Sequence, residues 1–221
     1  MADFDINQIA SALDSEDMIG FTRAFVEDIR KGLNAVNVER YPWIEEIGNG
    51  QWRGVLALGM GGSAAGGDFL SSICDLKGAI PVIVQRDYVI PAWWNEQWLV
   101  IATSHSGNTE EAIEATEIAL KLGATVIVIS TGGILSGLAE LHYNCYLIPS
   151  VGGQPPRSAF GHIFARQLAL FRCLGIIPDD NDDQAMLTRL QAVVEEYDFI
   201  TNQESDLLEL IAYMETQPIS L

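Results

Sequence analysis

Four hydroxyl side chains crowd into one short stretch, "ATSHSGNTEEAI" at residues 102–113: Thr103, Ser104, Ser106 and Thr109. An apolar run ends here, and an acidic, helix-compatible segment begins. A helix N-terminus offers unpaired N–H groups and the positive end of a dipole, which together favour an anion. Added hydroxyl groups bind phosphate oxygens without contributing a charge. The stretch therefore predicts a phosphate site at the end of a buried strand.

Helix capping is the simpler interpretation of the same residues. Ser106 or Asn108 would cap the following helix, and Glu111 would complete a capping box with Asn108. Capping leaves Ser104 and Thr109 without a role. If the site does bind phosphate, the carboxylates of Glu110 and Glu111 have to point away from it, because they would repel the ligand.

A second turn between an apolar run and a helix-compatible segment is "GMGGSAAGG" at residues 59–67. Glycine permits a sharp turn and a close approach of the backbone to a ligand, because it has no Cβ atom. This turn is therefore a second place where the backbone could approach an anionic ligand closely.

The same turn also fits a dinucleotide fingerprint. Gly59, Gly61 and Ala64 satisfy G-x-G-x-x-A after a strand, and Arg86 or Asp87 follows at about the right distance for a ribose or its 2′-phosphate. NADP binding stays open as an alternative, although it predicts nothing about the hydroxyl cluster on another strand. A P-loop is excluded, because the chain has no Gly-Lys-Ser or Gly-Lys-Thr.

The third stretch is "GGQPPRSAFGH" at residues 152–162, in which Arg157 follows two prolines that restrict the backbone. Arg157 is suited to stabilise an oxyanion or bind a sugar oxygen; a surface ion pair is the alternative. His162 is expected to be a packed or capping residue rather than an acid–base group. His105 is expected to point away from Ser104 and Ser106, since side chains alternate along an extended segment.

Short, continuously apolar runs must position these turns. They are "GVLALGM", "AIPVIV", "WLVIATS", "TVIVIS" and "CYLIPS". They alternate with helix-compatible stretches near 64–76, 108–122, 133–142 and 158–174. Strands that are apolar at every position belong to a sheet covered on both faces. The pattern predicts an α/β fold: a doubly wound, five-stranded parallel sheet sandwiched by helices, with binding turns at the carboxyl ends of its strands.

The flanking segments are predicted to be helical. An N-terminal helix would start after Asp14 or Ser15, with apolar residues from Met18 to Val36 spaced three or four apart. Two helical segments follow a turn-rich break at 174–183 and run to about residue 215. The final "QPISL" resembles the start of another strand.

Composition narrows the function classes. A formal charge of −18 over 221 residues argues against nucleic acid or an anionic membrane as partner. No apolar run approaches the length of a transmembrane helix, and the acidic start does not resemble a signal peptide, so we expect a cytoplasmic protein. Three dispersed cysteines and three histidines predict free, buried thiols and no metal site.

Taken together, "GMGGSAAGGD", "TSHSGNTEEAI" and "QPPRSAF" resemble the bifunctional phosphoglucose/phosphomannose isomerases, a branch of the sugar isomerase (SIS) domain superfamily. The resemblance implies a flavodoxin-like SIS domain at residues 53–175, an N-terminal helical arm at 1–52 and a helical linker at 176–221. It implies that Gly62, Ser63, Ser104, Ser106 and Thr109 hold a sugar phosphate. It places Arg157 beside C1 and C2 of the sugar as a catalytic residue.

The implied reaction interconverts an aldose 6-phosphate and a ketose 6-phosphate through a cis-enediol, without a cofactor. Family members continue for about another hundred residues. The resemblance assigns their base, a histidine and a lysine to a second SIS domain, and implies a homodimer. Glu46, Glu96 and Asp68 are not assigned as the base, because their spacing does not support that role. The alternative is a non-catalytic SIS module that binds a phosphorylated hexose.

Overall fold

The computed structural model describes residues 6–48, 50, 52–180, 182–202 and 204–216. The strands are β1 (Gly54–Leu58), β2 (Val82–Gln85), β3 (Trp98–Ser104), β4 (Val126–Ser130) and β5 (Cys145–Pro149). The helices of the described ranges are α1 (Ile6–Leu13), α2 (Met18–Asn34), α3 (Trp43–Gly48), α4 (Gly61–Lys77), α5 (Glu110–Lys121), α6 (Gly133–Leu141), α7 (Phe160–Cys173), α8 (Asp183–Tyr197) and α9 (Asp206–Thr216).

The five strands form one parallel sheet in the order β2-β1-β3-β4-β5. Helices α4, α5 and α6 connect β1 to β2, β3 to β4 and β4 to β5, and α7 follows β5. This is the flavodoxin-like order, whose direction reverses between β1 and β3. The predicted doubly wound fold is therefore confirmed, and ligands in such sheets bind at the carboxyl ends of the strands beside the reversal.

The central strands are buried on both sides, which explains why they are apolar at every position. On β4, Ile127 and Ile129 join a cluster that includes residues of α4 and α7. Their neighbours Val126 and Val128 join a second cluster with residues of α5 and α6. Successive side chains of a strand point to opposite faces, so each strand contributes to both clusters. Helices thus cover both faces of the sheet, as predicted.

The helices that cover the sheet lie where the sequence predicts them, at α4, α5, α6 and α7. Helix α2 is also as predicted. Its N-terminus is capped by Asp14, whose Oδ1 accepts a hydrogen bond from the Met18 amide at 2.7 Å and whose Oδ2 accepts one from the Ile19 amide at 2.8 Å. Helices α8 and α9 match the two predicted C-terminal segments. The strand predicted for "QPISL" lies outside the described residues.

Two short helices were not predicted from the sequence, α1 and α3. Helix α3 has six residues, yet Ile44 and Ile47 are buried in the cluster on the α7 side of the sheet. A helix this short is stabilised mainly by tertiary packing, which local periodicity does not reveal.

The chain divides into two compact units, one from Glu27 to Asp179 and one made of the residues before and after it. The first unit contains the whole sheet with α3 to α7. The second contains α1, α8 and α9, and an ion pair joins Arg23 Nε to Asp198 Oδ2 at 2.7 Å. The boundaries at residues 52/53 and 175/176 stay predictions.

The thiols are free, as predicted. Cys74 and Cys145 are buried, also as predicted, but Cys173 is partly exposed, so the prediction of burial is wrong for that residue. Burial raises the pKa of Cys74 to about 11 and that of Cys145 to about 12, so neither is a thiolate at neutral pH. The described residues bring together no group of three or more His, Cys, Asp or Glu side chains that could hold a metal ion. None of the helices described is both long and apolar enough to cross a membrane.

Candidate functional site

The turn after β1 brings the start of α4 close to the end of β3. Gly61 begins the helix with φ of +50°, a left-handed conformation that glycine adopts readily. A Cβ atom on Gly59 would lie 3.0 Å from the carbonyl oxygen of Thr103, so the two strand ends approach closely because residue 59 is glycine. Gly62 is exposed and Ser63 is half-buried at the first turn of α4.

The loop after β3 is organised around Ser104, which is buried. Its Oγ lies 2.8 Å from Thr109 Oγ1 in a hydrogen bond, and it accepts a second hydrogen bond from the Gly107 amide at 3.1 Å. Ser106 is exposed, and its Oγ accepts from the Asn108 amide at 3.2 Å. The structure therefore gathers three of the predicted hydroxyls in one loop. Here we call Gly62, Ser63, Ser104, Ser106 and Thr109 the hydroxyl cradle.

The capping interpretation of this loop is wrong. Thr109, and not Ser106 or Asn108, occupies the N-cap position of α5, and its side chain makes no capping hydrogen bond. Asn108 Oδ1 instead accepts a hydrogen bond from the Ile134 amide of α6 at 3.2 Å. The amide side chain thus joins two loops at the carboxyl edge of the sheet, and local sequence could not predict a partner so distant in the chain.

The two halves of the cradle are joined by a direct hydrogen bond. Ser63 Oγ accepts from the backbone amide of His105 at 3.2 Å. Both of the turns that carry the predicted phosphate-binding residues therefore meet at the β1/β3 reversal, with the first turns of α4 and α5 on either side. Orphan N–H groups of helix N-termini and hydroxyl donors are the combination that suits a phosphate group in an acidic protein.

Arg157 lies on an exposed turn between β5 and α7. The carbonyl oxygen of its neighbour Pro156 is 3.9 Å from the position that a Cβ atom on Gly62 would occupy. The turn that carries the predicted catalytic arginine is therefore adjacent to the first turn of α4 and to the cradle.

The acidic residues that begin α5 lie near Tyr88. Glu110 and Tyr88 line one surface depression. The Glu111 carboxylate, followed by burial and by Glu110, raises the pKa of the Tyr88 hydroxyl.

His162 is a packed residue, as predicted. It is buried in α7 at 4% exposure, and its Nε2 lies 3.1 Å from Oδ1 of Asp28, which is also buried. Burial lowers the pKa of His162, and the Asp28 carboxylate opposes this shift only in part. At neutral pH the imidazole is therefore uncharged and joins α7 to α2.

Arg86 and Asp87, the residues that supported a dinucleotide site, are engaged locally. Arg86 forms an ion pair with Asp68 of α4. Asp87 accepts a hydrogen bond from the amide of Tyr88 at 2.7 Å. Both side chains thus interact with other residues of the chain at the positions where a dinucleotide site would need them.

A fourth turn at this edge, Ser130–Gly133 between β4 and α6, was not predicted from the sequence. Ser130 Oγ donates to the Gly132 carbonyl at 2.9 Å, and Thr131 Oγ1 donates to the His105 carbonyl at 2.7 Å. The sequence did contain a signal for this turn, because "STGG" follows an apolar strand just as the turns after β1 and β3 do. It braces the hydroxyl loop from the side opposite α4.

No family model matches the chain. A bifunctional phosphoglucose/phosphomannose isomerase from Caldicellulosiruptor bescii is 43% identical over 155 residues, which is 69% of this chain and 45% of that protein. The chain spans less than half of the length of this curated relative. The resemblance seen in the sequence is confirmed by this similarity.

Solved structures share the fold. The tagatose-6-phosphate ketose/aldose isomerase from Escherichia coli superimposes with a TM-score of 0.57 at 20% identity, covering 79% of this chain and 54% of that one. The Vibrio vulnificus NanR protein complexed with ManNAc-6P gives a TM-score of 0.55 at 17% identity, covering 86% of this chain and 75% of that one.

Proposed function

This chain is a relative of the bifunctional phosphoglucose/phosphomannose isomerases, and we propose that it is the phosphosugar-binding part of an aldose–ketose isomerase. The reaction interconverts glucose 6-phosphate or mannose 6-phosphate with fructose 6-phosphate. The observation that carries the proposal is the cluster of hydroxyls at the β1/β3 reversal. Ser104 Oγ and Thr109 Oγ1 are 2.8 Å apart, and Ser63 Oγ is hydrogen-bonded to the backbone of the same loop.

In the proposed complex, the phosphate group lies on the cradle. Ser63, Ser106 and Thr109 donate hydrogen bonds to its oxygens. Ser104 was expected to contact the phosphate as well, but because it is buried we assign it the role of holding Thr109 in place. The sugar then extends toward Arg157, whose guanidinium stabilises the negative charge that develops on the enediolate. Proton transfer between C1 and C2 requires a carboxylate base. We propose that this base, with a histidine and a lysine, belongs to a second SIS domain outside residues 1–221.

The proposal includes a homodimer, which the resemblance implies. It also includes action in the cytoplasm, which is expected from the sequence. Light scattering on the purified chain tests the first of these. A mass of twice 24.2 kDa is the expected result.

The test is calorimetric titration of fructose 6-phosphate into the wild-type chain and into the Ser63→Ala and Ser106→Ala variants. Each loses a hydrogen bond to a charged group, which is worth about 1.5–3 kcal/mol and corresponds to a loss of affinity of roughly 10-fold or more. Ser72→Ala is the matched control, since Ser72 is exposed on α4 and donates only to the Asp68 carbonyl of its own helix. Equal affinity in all four proteins would contradict the cradle.

An isomerase assay on the same samples separates the two candidate functions. Binding without turnover is expected of this chain alone, because the base is proposed to lie elsewhere. Turnover by the chain itself would contradict that placement.

The second candidate is a non-catalytic module that binds a phosphorylated hexose, a ligand class that the NanR complex demonstrates for a protein of this fold. It is favoured if a longer protein containing this chain binds the sugar but does not isomerise it.

A further inference from the structure

His105 is held by both neighbouring turns through its backbone. Its N–H donates to Ser63 Oγ at 3.2 Å, and its carbonyl oxygen accepts from Thr131 Oγ1 at 2.7 Å and from the Thr131 amide at 3.1 Å. The backbone of one residue therefore connects the turn after β1 with the turn after β4. These bonds do not depend on the side chain at position 105.

The imidazole reaches a different part of the edge. Its Nε2 lies 3.1 Å from the carbonyl oxygen of Gln154, in the loop between β5 and α7. A carbonyl oxygen can only accept, so Nε2 carries the proton. Nδ1 is buried and has no hydrogen-bond partner within the described part of the chain. The ring thus makes one directed hydrogen bond, and it runs toward the loop that carries Arg157.

Gln154 is separated from Arg157 only by Pro155 and Pro156, whose rings fix φ and restrict the residues before them. The turn closes on itself, because the amide and the hydroxyl of Ser158 both donate to the Pro155 carbonyl, at 3.0 and 2.9 Å. In a segment this stiff, residues at the two ends cannot move independently of each other. Holding Gln154 in place therefore holds the backbone of Arg157 in place.

We infer that His105 is a positioning residue, which ties the loop 150–158 to the hydroxyl cradle and so sets Arg157 against the sugar while the hydroxyls hold the phosphate. The inference rests on the proposed function. On this inference, binding of the phosphate group depends on the cradle alone. Binding of the sugar depends in addition on the hydrogen bond from His105 to Gln154.

The test compares His105→Phe, which keeps a planar ring and the backbone bonds but removes the donor, with His105→Gln, which keeps a donor at a similar reach. Fructose 6-phosphate and inorganic phosphate are titrated into each. The Phe variant is expected to bind fructose 6-phosphate roughly 3- to 10-fold more weakly, as for one lost hydrogen bond, and inorganic phosphate within about twofold of wild type. The Gln variant is expected to restore sugar-phosphate affinity. Equal losses for both ligands would indicate a packing role and overturn the inference.

A double-mutant cycle tests whether the effect passes through Arg157. In an Arg157→Gln background, His105→Phe is expected to cause no further loss of fructose 6-phosphate affinity. Additive losses would overturn the inference, since His105 would then act independently of the arginine.

Hydrogen exchange provides a readout that needs no ligand. Peptides covering 151–159 are expected to exchange faster in His105→Phe than in wild type or His105→Gln, while peptides of β3 do not change. The control is His142→Phe. It is the same substitution, but residue 142 precedes β5 at the amino ends of the strands, away from the binding turns. Unchanged exchange in the loop would overturn the tether. Faster loop exchange in His105→Phe, together with a wild-type protein that binds no fructose 6-phosphate, would instead show that the proposed function had failed although the tether exists.

Discussion

At the scale of single residues, the hydroxyl loop depends on a glycine that other residues cannot replace. Gly107 has φ of +70°, and an added Cβ atom would overlap the carbonyl oxygen of Gly132. We expect Gly107→Ala to lower the free energy of unfolding by more than about 2 kcal/mol, because it adds backbone strain to a clash with backbone atoms. Urea unfolding monitored by circular dichroism provides the measurement.

The matched control for Gly107 is Gly137, which lies within α6 and has no atom within 4 Å of an added Cβ. Gly137→Ala should raise the free energy of unfolding by about 0.5–1 kcal/mol, since glycine weakens a helix interior. If both variants unfold at the same urea concentration as wild type, the described loop geometry is incorrect.

His162 makes stability depend on pH. Burial lowers its pKa, with further lowering by Arg166, Lys31 and His105 and an opposing contribution from Asp28. As the pH falls below the ordinary value of 6.5, the unfolded chain therefore binds a proton before the folded chain does. The contribution of His162 to stability is complete above that pH and is lost as the pH falls toward its folded-state pKa.

We therefore expect the urea midpoint of wild type to decrease between pH 7.5 and pH 5.5 by more than that of His162→Gln. The comparison uses the change in midpoint within each protein, so any general destabilisation by the substitution does not affect it. Parallel pH profiles would mean that His162 does not titrate differently in the folded and unfolded chains.

Residue types and spacing predicted where chemistry could occur but not which partners the side chains would choose. The hydroxyls of Ser104 and Thr109 were identified because they follow an apolar strand. The hydrogen bond of Asn108 to the Ile134 amide was not, because its partner is 26 residues away. The target of the His105 ring on a third loop was missed for the same reason. Contacts between loops follow from the order of the strands, which periodicity does not specify.

At the scale of secondary structure elements, the apolar runs predicted all five strands. The signal is clearest for β1 and β4, which are buried along their whole length and therefore consist almost entirely of apolar residues. The strand order needs more than this pattern. It follows from packing and from the hand of the helical connections. Short elements such as α3 escaped prediction, since six residues hold too little periodicity to identify a helix.

Strands at the centre and the edge of the sheet should respond differently to truncation. Ile127 on β4 is fully buried, whereas Ile83 on the edge strand β2 is 38% exposed. Ile127→Ala should lower the free energy of unfolding by about 2–5 kcal/mol, since the cavity forms inside a close-packed cluster. Ile83→Ala should cost much less, because water already reaches the side chain. Equal losses in urea unfolding would contradict the assignment of β2 to the edge.

At the scale of the whole molecule, the proposed anionic ligand meets a protein with a formal charge of −18. The average field repels such a ligand, so binding has to come from local donors at short range. Hydroxyls and helix N-termini provide those donors without lysine. The acidic residues are concentrated toward the end of the chain, between Asp179 and Glu215, in a tract with one base, Arg189.

The unit from Glu27 to Asp179 contains all that the proposed binding site needs. Both hydrophobic clusters that enclose the sheet lie between Val36 and Ile177, and the cradle and Arg157 lie within the same limits.

A fragment of residues 14–179, which keeps Asp14 as the cap of α2, should therefore fold cooperatively. It should bind fructose 6-phosphate within about twofold of the full chain, although its free energy of unfolding should be lower because buried residues such as Leu187 and Ile200 are removed. Calorimetry and urea unfolding on the two proteins check both expectations. A fragment that folds but does not bind would mean that residues before 14 or after 179 contribute to the site.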